Sequence, residues 1–347
     1  MNEKKICLRG LTLKQLQKLV VEMGQPSYRG DQLADWLYQK NISSWNEITN
    51  FPQDFLKQLK QQSLLSNISF VEASQSKDDS IKCLFKTEDG HFLETVLIRK
   101  KNRNTICVSS QLGCKMNCSF CASSKDGFIR NLNISEMVSQ FSGLKQQTKE
   151  NIDNIVYMGM GEPLENFNPM IQSIEIFNAE WGFGIGARHI TVSTVGLVPA
   201  IKKFSQEKLR QVRLSISVHS PFDDVRSQIV PMNRKYDLKE LMDVLVNEKH
   251  QYGREYTFEY TLLKGINDRD KDARELAKLA KRVGAKVNLI AYNPIPDASF
   301  ERPLLKDMRH FRQLLDQYKV INTLRISSGS DIDAACGQLR LNRERGK

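Results

Sequence analysis

The chain has 347 residues and a formal net charge of +11, enough length for one large α/β domain plus a small one and a basic surplus that favours phosphate-rich partners. No run of about 18 apolar residues occurs, which excludes a membrane-spanning helix, and the opening MNEKKICLRG has no apolar signal core. Seven cysteines in such a chain point to a reducing cytoplasm, not to a disulfide scaffold.

Residues 1–66 read as helices. LTLKQLQKLVVEMG has Thr12 as N-cap, apolar residues at helical spacing and Gly24 as its stop. SYRGDQLADWLYQKN repeats the pattern with Leu33, Trp36 and Leu37 on one face, and Pro52 opens FPQDFLKQLKQQS. Arg29, Lys40, Lys57 and Lys60 are interleaved with aromatics, which suits either a solvated helix face or an RNA contact. From Asn67 to Ile98, within an extension set at 67–104, the pattern changes to period two. SIKCLFKT and HFLETVLI, joined through Glu88-Asp89-Gly90, predict a β-hairpin extension. Glu94 interrupts its apolar second strand: it faces solvent, or it is buried with a raised pKa and can serve as a general base. The run RKKNR, 99–103, is a candidate phosphate contact or a solvated turn.

From Thr105 the chain alternates. Strand-like runs are TICVSSQ, NIVYMGMGEP, RHITVSTVG, VRLSISVHS, YTFEYTLL, KVNLIAYNP and NTLRISS. Helix-like runs are ISEMVSQFSGLKQQ, NPMIQSIEIFN, LKELMDVLVNEKH, DARELAKLAKRVG and LLKDMRHFRQLLDQY. This predicts an α/β fold, a full or partial (β/α) barrel over 105–340, followed by a short basic tail at 341–347. Active sites of such barrels lie at the carboxyl ends of the strands. The unusual polar residues fall there: Gly161-Glu162, Ser193, Ser217, His219, Asn293 and Cys336.

Cys114, Cys118 and Cys121 follow the first of these strands as C-x3-C-x2-C. Three cysteines this close can converge as thiolates on a metal. A structural zinc site wants four closed ligands, and a cubane iron–sulfur cluster is normally held by four thiolates. With three, one iron keeps an open position for a substrate. On spacing alone a cluster and a zinc knuckle completed from a distance both stand.

With Phe120 before its last cysteine, the motif resembles that of the radical S-adenosylmethionine (SAM) superfamily. CVSSQLGCKMNCSFCASS, GFIRNL, MGMGEPLEN, ITVSTVG, SISVHSP, IVPMNRKY and DIDAACGQL, in this order, resemble the RlmN/Cfr family of RNA adenosine methyltransferases. The resemblance implies a radical SAM partial barrel, a [4Fe-4S] cluster on Cys114, Cys118 and Cys121, and SAM contacts from Gly161, Glu162, Ser193, Ser217, the Val218 backbone, His219 and Asn293. It implies that Cys336 accepts a methyl from SAM, that Cys107 resolves the intermediate with formation of a disulfide, and that Glu94 is the proton acceptor. It also makes the N-terminal helices an RNA-holding accessory domain, in which Tyr28, Arg29 and Trp36 match similar residues of related proteins. The implied substrate is an adenosine base carbon of 23S rRNA, with tRNA a further substrate class. The implied partners are RNA and an electron donor such as flavodoxin or ferredoxin, for a monomeric enzyme. Cys7 and Cys83 match no motif cysteine.

Pro163 in MGMGEPLEN is closer to RlmN than to Cfr and favours methylation at C2 over C8. LRISSGSDIDAACGQL departs from the more basic R-K-T-R-G usual in RlmN: Ser327, Ser328 and Ser330 stand where charges are common, while Arg325 persists. The alternatives are a Cfr-type C8 methyltransferase and a non-catalytic RNA-binding protein with a metal site. The latter has no need of Glu94, Cys107 or Cys336.

Overall fold

The computed structural model describes residues 5–340 except 102, 210, 253–255, 297 and 327, and does not describe the side chains at 249–252. The expected basic tail at 341–347 and the substitution at Ser327 lie outside the described residues.

A helical unit comes first. Its ends are clasped together where β1 (Ile6–Cys7) pairs in parallel with β2 (Ser63–Leu64). Thr12 caps α1 (Leu13–Glu22) as expected, through a reciprocal box with Gln15. α2 (Tyr28–Ala34) runs on into one π-helical turn, Asp35–Gln39. Pro52 stands immediately before α3 (Gln53–Gln62). Gly30 lets α1 and α2 touch, since a Cβ there would lie 2.5 Å from the Gln17 Cα. Leu16, Val20, Leu33, Leu37 and Leu59 close the unit, each contributing roughly 1.5–3 kcal/mol relative to exposure.

The hairpin is larger than its sequence suggests. β3 (Ile68–Gln75), β4 (Ile81–Thr87) and β5 (Phe92–Lys100) form an antiparallel meander, with Gly90 at φ +88° in the expected turn. β5 then pairs antiparallel with β6 (Arg103–Cys107), so the extension is continuous with the main sheet. In the basic run, Arg99 pairs with Glu150 at 2.9 Å and Lys100 donates to the Ser328 hydroxyl at 2.9 Å. These two charges therefore have structural partners within the chain.

After β6 come a small antiparallel pair, β7 (Gln111–Gly113) and β8 (Phe128–Asn131), and the short helix α4 (Ala122–Lys125) between them. The alternation then runs α5 (Ile134–Thr148), β9 (Asn154–Tyr157), α6 (Phe167–Asn178), β10 (Ile190–Thr194), α7 (Val198–Gln206), β11 (Arg213–Ser217), α8 (Asp223–Ile229), α9 (Leu238–Tyr252), β12 (Thr257–Leu262), α10 (Asp270–Val283), β13 (Lys286–Ala291), α11 (Leu305–Gln317) and β14 (Asn322–Arg325). Helices α7 and α8 are absent from the sequence reading. α7 carries Pro199 in its first turn, where a missing N–H costs nothing.

All seven strand-like runs are strands. With β3, β4 and β5 they form one ten-stranded sheet in the order β14-β13-β12-β11-β10-β9-β6-β5-β4-β3, parallel from β14 to β6. The series is open between β14 and β3, hence a partial barrel. The segment after β14 spans that opening. Gly329 N–H donates to Asp78 at 3.2 Å, Lys77 N–H to Asp331 at 3.1 Å, and Lys82 Nζ to the Asp333 carbonyl at 3.2 Å. No helix among the described residues is long and apolar enough to cross a membrane.

Candidate active site

The cysteine loop leaves β7 and ends at α4. Cys114 and Cys118 are buried with Met116, Ile229, Val230, Leu263 and Tyr292, and Phe120 and Cys121 pack against this apolar group. Burial pushes the Cys114 thiol up to about 12. It pushes Cys118 further, reinforced by the charges of Cys121 and Cys114. Two buried thiols and a third packed against them repel one another as anions and need a cationic centre to ionise. Among the described residues no three His, Cys, Asp or Glu side chains converge closely enough to grip a single ion. The donor set and its apolar shell fit a cluster.

Beside this loop lies a cavity at the carboxyl ends of the parallel strands. Cys121, Gly161, Glu162, Ser193, Ser217, His219 and Cys336 all line it. Gly161 sits at φ +101°, and a Cβ there would fall 2.5 Å from the Gln111 Cβ, so only glycine fits this turn. Glu162 is held by backbone donors: Val195 N–H to Oε2 at 2.9 Å and Leu164 N–H to Oε1 at 3.1 Å. Burial outweighs those bonds and raises its carboxyl to about 7. His219 adopts φ +56°, and its Nδ1 accepts the Thr261 N–H at 3.0 Å, which puts the neutral ring's proton on Nε2. Burial, then the charge of Arg226, depresses its pKa to about 3. The Phe120 ring meets it edge-on at 4.7 Å.

Two expected contacts do not line the cavity. The Val218 N–H donates to the Glu259 carbonyl at 3.1 Å, and the Val218 carbonyl accepts from Arg226 Nε at 3.0 Å. Asn293 donates to the Cys336 carbonyl at 3.2 Å and accepts from Arg302 at 2.9 Å, so it braces the Cys336 loop. Glu259, Thr261 and Tyr292 line the cavity without having been singled out. They sit in ordinary apolar strand patterns, and only the register of β12 and β13 turns them inward. Arg226, on α8, was also not singled out, because its partners are backbone carbonyls of other elements. Although 1% exposed, it also bonds the carbonyls of Val195 at 2.7 Å and Ser217 at 3.2 Å and the Asn233 amide oxygen at 2.7 Å. It thereby fixes the ends of β10 and β11.

Cys107 is buried at the end of β6, and Cys336 is partly exposed. Burial, then the neighbouring charge of Cys336, pushes the Cys107 thiol up to about 12, while Arg325 opposes the rise. Cys336 is thus an electrostatic neighbour of Cys107. All seven cysteines are free, so the disulfide implied by the resemblance is not formed in this structure. Glu94 is buried, not solvent-facing, and pairs with Lys82 at 3.1 Å. Its second oxygen accepts the Arg340 N–H at 3.0 Å. Burial still raises its pKa against both partners, which keeps it a serviceable proton acceptor.

Comparison with known proteins agrees with this arrangement. Residues 108–279 match the radical SAM superfamily model, and residues 6–65 match the ribosomal RNA large subunit methyltransferase N-terminal domain. A probable dual-specificity RNA methyltransferase RlmN of Desulforamulus reducens is 41% identical over 98% of this chain and 97% of its own. The protein of the same name from Dictyoglomus thermophilum is 43% identical over 94% of each. The crystal structure of a radical SAM methyltransferase from Sphaerobacter thermophilus superposes with a TM-score of 0.93 at 41% identity, covering 96% of this chain and 99% of that one. The chain belongs to the RlmN family of the radical SAM superfamily.

Proposed function

We propose that the chain is a radical SAM methyltransferase that methylates C2 of an adenine in 23S rRNA and in tRNA, with Cys336 as the methyl carrier. The observation that carries this is the meeting of Cys336 with Cys121, Glu162 and His219 around one cavity. An RNA-binding module would have no use for a thiol there. Relatives over nearly the full chain bear the name of dual-specificity RNA methyltransferases.

Cys114, Cys118 and Cys121 would hold the [4Fe-4S] cluster, which when bound supplies the electron that cleaves SAM. Gly161, Glu162, Ser193, Ser217 and His219 form the wall on which SAM would lie. The Cys336 thiolate takes the methyl by displacement at the SAM methyl carbon. A hydrogen atom is then removed from that Cys336 methyl by the radical that SAM cleavage would supply, the carbon bonds to the adenine C2, and Glu94 receives the proton that C2 loses. Cys107 then bonds to the Cys336 sulfur as the carbon–sulfur link to the product breaks. This sequence uses ordinary thiolate and disulfide-exchange chemistry. Pro163, which favours C2, lines the same cavity.

In the helical unit, Arg29 lies over Tyr28 at 5.1 Å and Lys40 over Trp36 at 3.6 Å. Such cation–aromatic pairs at the surface suit RNA holding. We place the enzyme in the cytoplasm as a monomer, served by a flavodoxin- or ferredoxin-type donor. Anaerobic reconstitution with iron and sulfide, then incubation with SAM and RNA, tests the assignment. Methylated adenosine in wild type and none in Cys336→Ala supports it; methylation by Cys336→Ala contradicts it.

A further inference from the structure

Glu94 and Lys82 are 3% and 4% exposed and lie 3.1 Å apart. A buried ion pair is weak evidence for stability, because desolvation consumes most of its attraction. Here each partner has a second bond that leads elsewhere. Lys82 Nζ donates to the Asp333 carbonyl at 3.2 Å, and Glu94 Oε2 accepts the Arg340 N–H at 3.0 Å. Asp333 lies three residues before Cys336 and Arg340 four residues after it. One ion pair between β4 and β5 therefore grips both ends of the loop that carries Cys336.

We propose that Lys82 is a positioning residue for the methyl transfer, orienting Glu94 and latching the Cys336 loop over the cavity. The kinetic part of this inference rests on the role of Glu94 given above; the latch itself does not. With Glu94 ionised, Oε1 holds the ammonium and Oε2 holds the loop. A proton on Glu94 removes the charge that anchors Lys82 and weakens the Arg340 bond, which loses its charge assistance. A proton taken from the substrate thus loosens the loop at the stage when product must leave.

Among the described residues, Lys82 on β4 favours the ionisation of Glu94 and Asp333 on the loop opposes it. Arg340 contributes its backbone N–H, while its guanidinium bonds the Pro296 carbonyl at 3.2 Å. On the α5 side the contacts are uncharged: the Ser109 hydroxyl donates to the Glu94 carbonyl at 2.9 Å, and the Thr95 hydroxyl donates to Gln140 at 3.0 Å.

The test uses the full-length protein with Lys82→Met and Lys82→Arg. Hydrogen exchange over 333–340 and iodoacetamide alkylation of Cys336, followed by mass spectrometry, read the latch without any turnover. Lys82→Met should raise both about ten-fold or more, as expected for losing a charge-assisted bond, while Lys82→Arg stays close to wild type. In single-turnover methylation, the acid limb of the pH profile should move up by about one unit in Lys82→Met, the effect of removing a nearby opposite charge. Unchanged exchange and an unmoved limb in Lys82→Met overturn the proposal. If Lys82→Met does not fold, Glu94→Gln replaces it: faster exchange over 333–340 supports the latch, and wild-type exchange overturns it. If no RNA is methylated by wild type, the functional reading fails while the exchange measurements still decide the latch.

Discussion

The backbone N–H of Ala122 donates to the carbonyl of Gly337 at 2.7 Å. One residue follows the last cysteine of the cysteine loop, and the other follows Cys336. Ser123 Oγ adds a bond to the Leu339 carbonyl at 2.8 Å. The late loop is therefore sewn to the cysteine loop, which is why a thiol 215 positions after Cys121 lines the same cavity.

Cys336→Ala should retain iron and SAM binding and lose turnover entirely. Cys107→Ala should also stop multiple turnover, because no second thiol is left to release the product. Iron content, SAM-dependent spectral change and methyl incorporation separate these effects. Loss of iron in Cys336→Ala would move that residue from the chemistry to the cluster's support.

Cys118→Ala should abolish iron incorporation on reconstitution, whereas Cys7→Ala should load normally. Iron and sulfide assays check this. Equal loading in both variants would remove the cysteine loop from the cluster.

His219 links the site to acid stability. Its folded pKa is depressed to about 3 by burial and Arg226, while an unfolded histidine titrates near about 6.5. The unfolded chain therefore binds the extra proton first. The contribution is fully present above the unfolded value and is lost as pH falls from about 6.5 toward about 3. Between pH 7 and 4.5 the loss is roughly 2–3 kcal/mol. His219→Gln should flatten this part of the curve in urea unfolding, and an unaltered pH dependence would contradict it.

Arg226→Leu should destabilise the fold by about 3 kcal/mol or more, since it leaves the Val195, Ser217 and Val218 carbonyls without that donor. Urea titration measures the loss, and SAM affinity should fall with it because β10 and β11 are no longer fixed.

The parallel sheet was legible because its strands are short β-branched runs punctuated by helices, and the metal loop because three cysteines at that spacing have few other uses. β3 was not legible: most of its residues are exposed, and ISFVEASQ carries no clean alternation. α7 was hidden by Pro199. At single residues the limit is sequence distance. Lys82 looks like any lysine in a hairpin until its bond to Asp333 is seen, 251 positions away. The bonds of Val218 to Arg226 and of Asn293 to Cys336 and Arg302 are likewise invisible in the sequence.

The proposed role of Cys336 is to pass a methyl from SAM to an adenine carbon of RNA. Its most direct test is mass spectrometry of nucleosides from RNA treated with reconstituted enzyme and methyl-deuterated SAM. The expected product is 2-methyladenosine that carries deuterium from the labelled methyl and is absent with Cys336→Ala. Unmodified adenosine from fully loaded enzyme, or label appearing with Cys336→Ala, would contradict it.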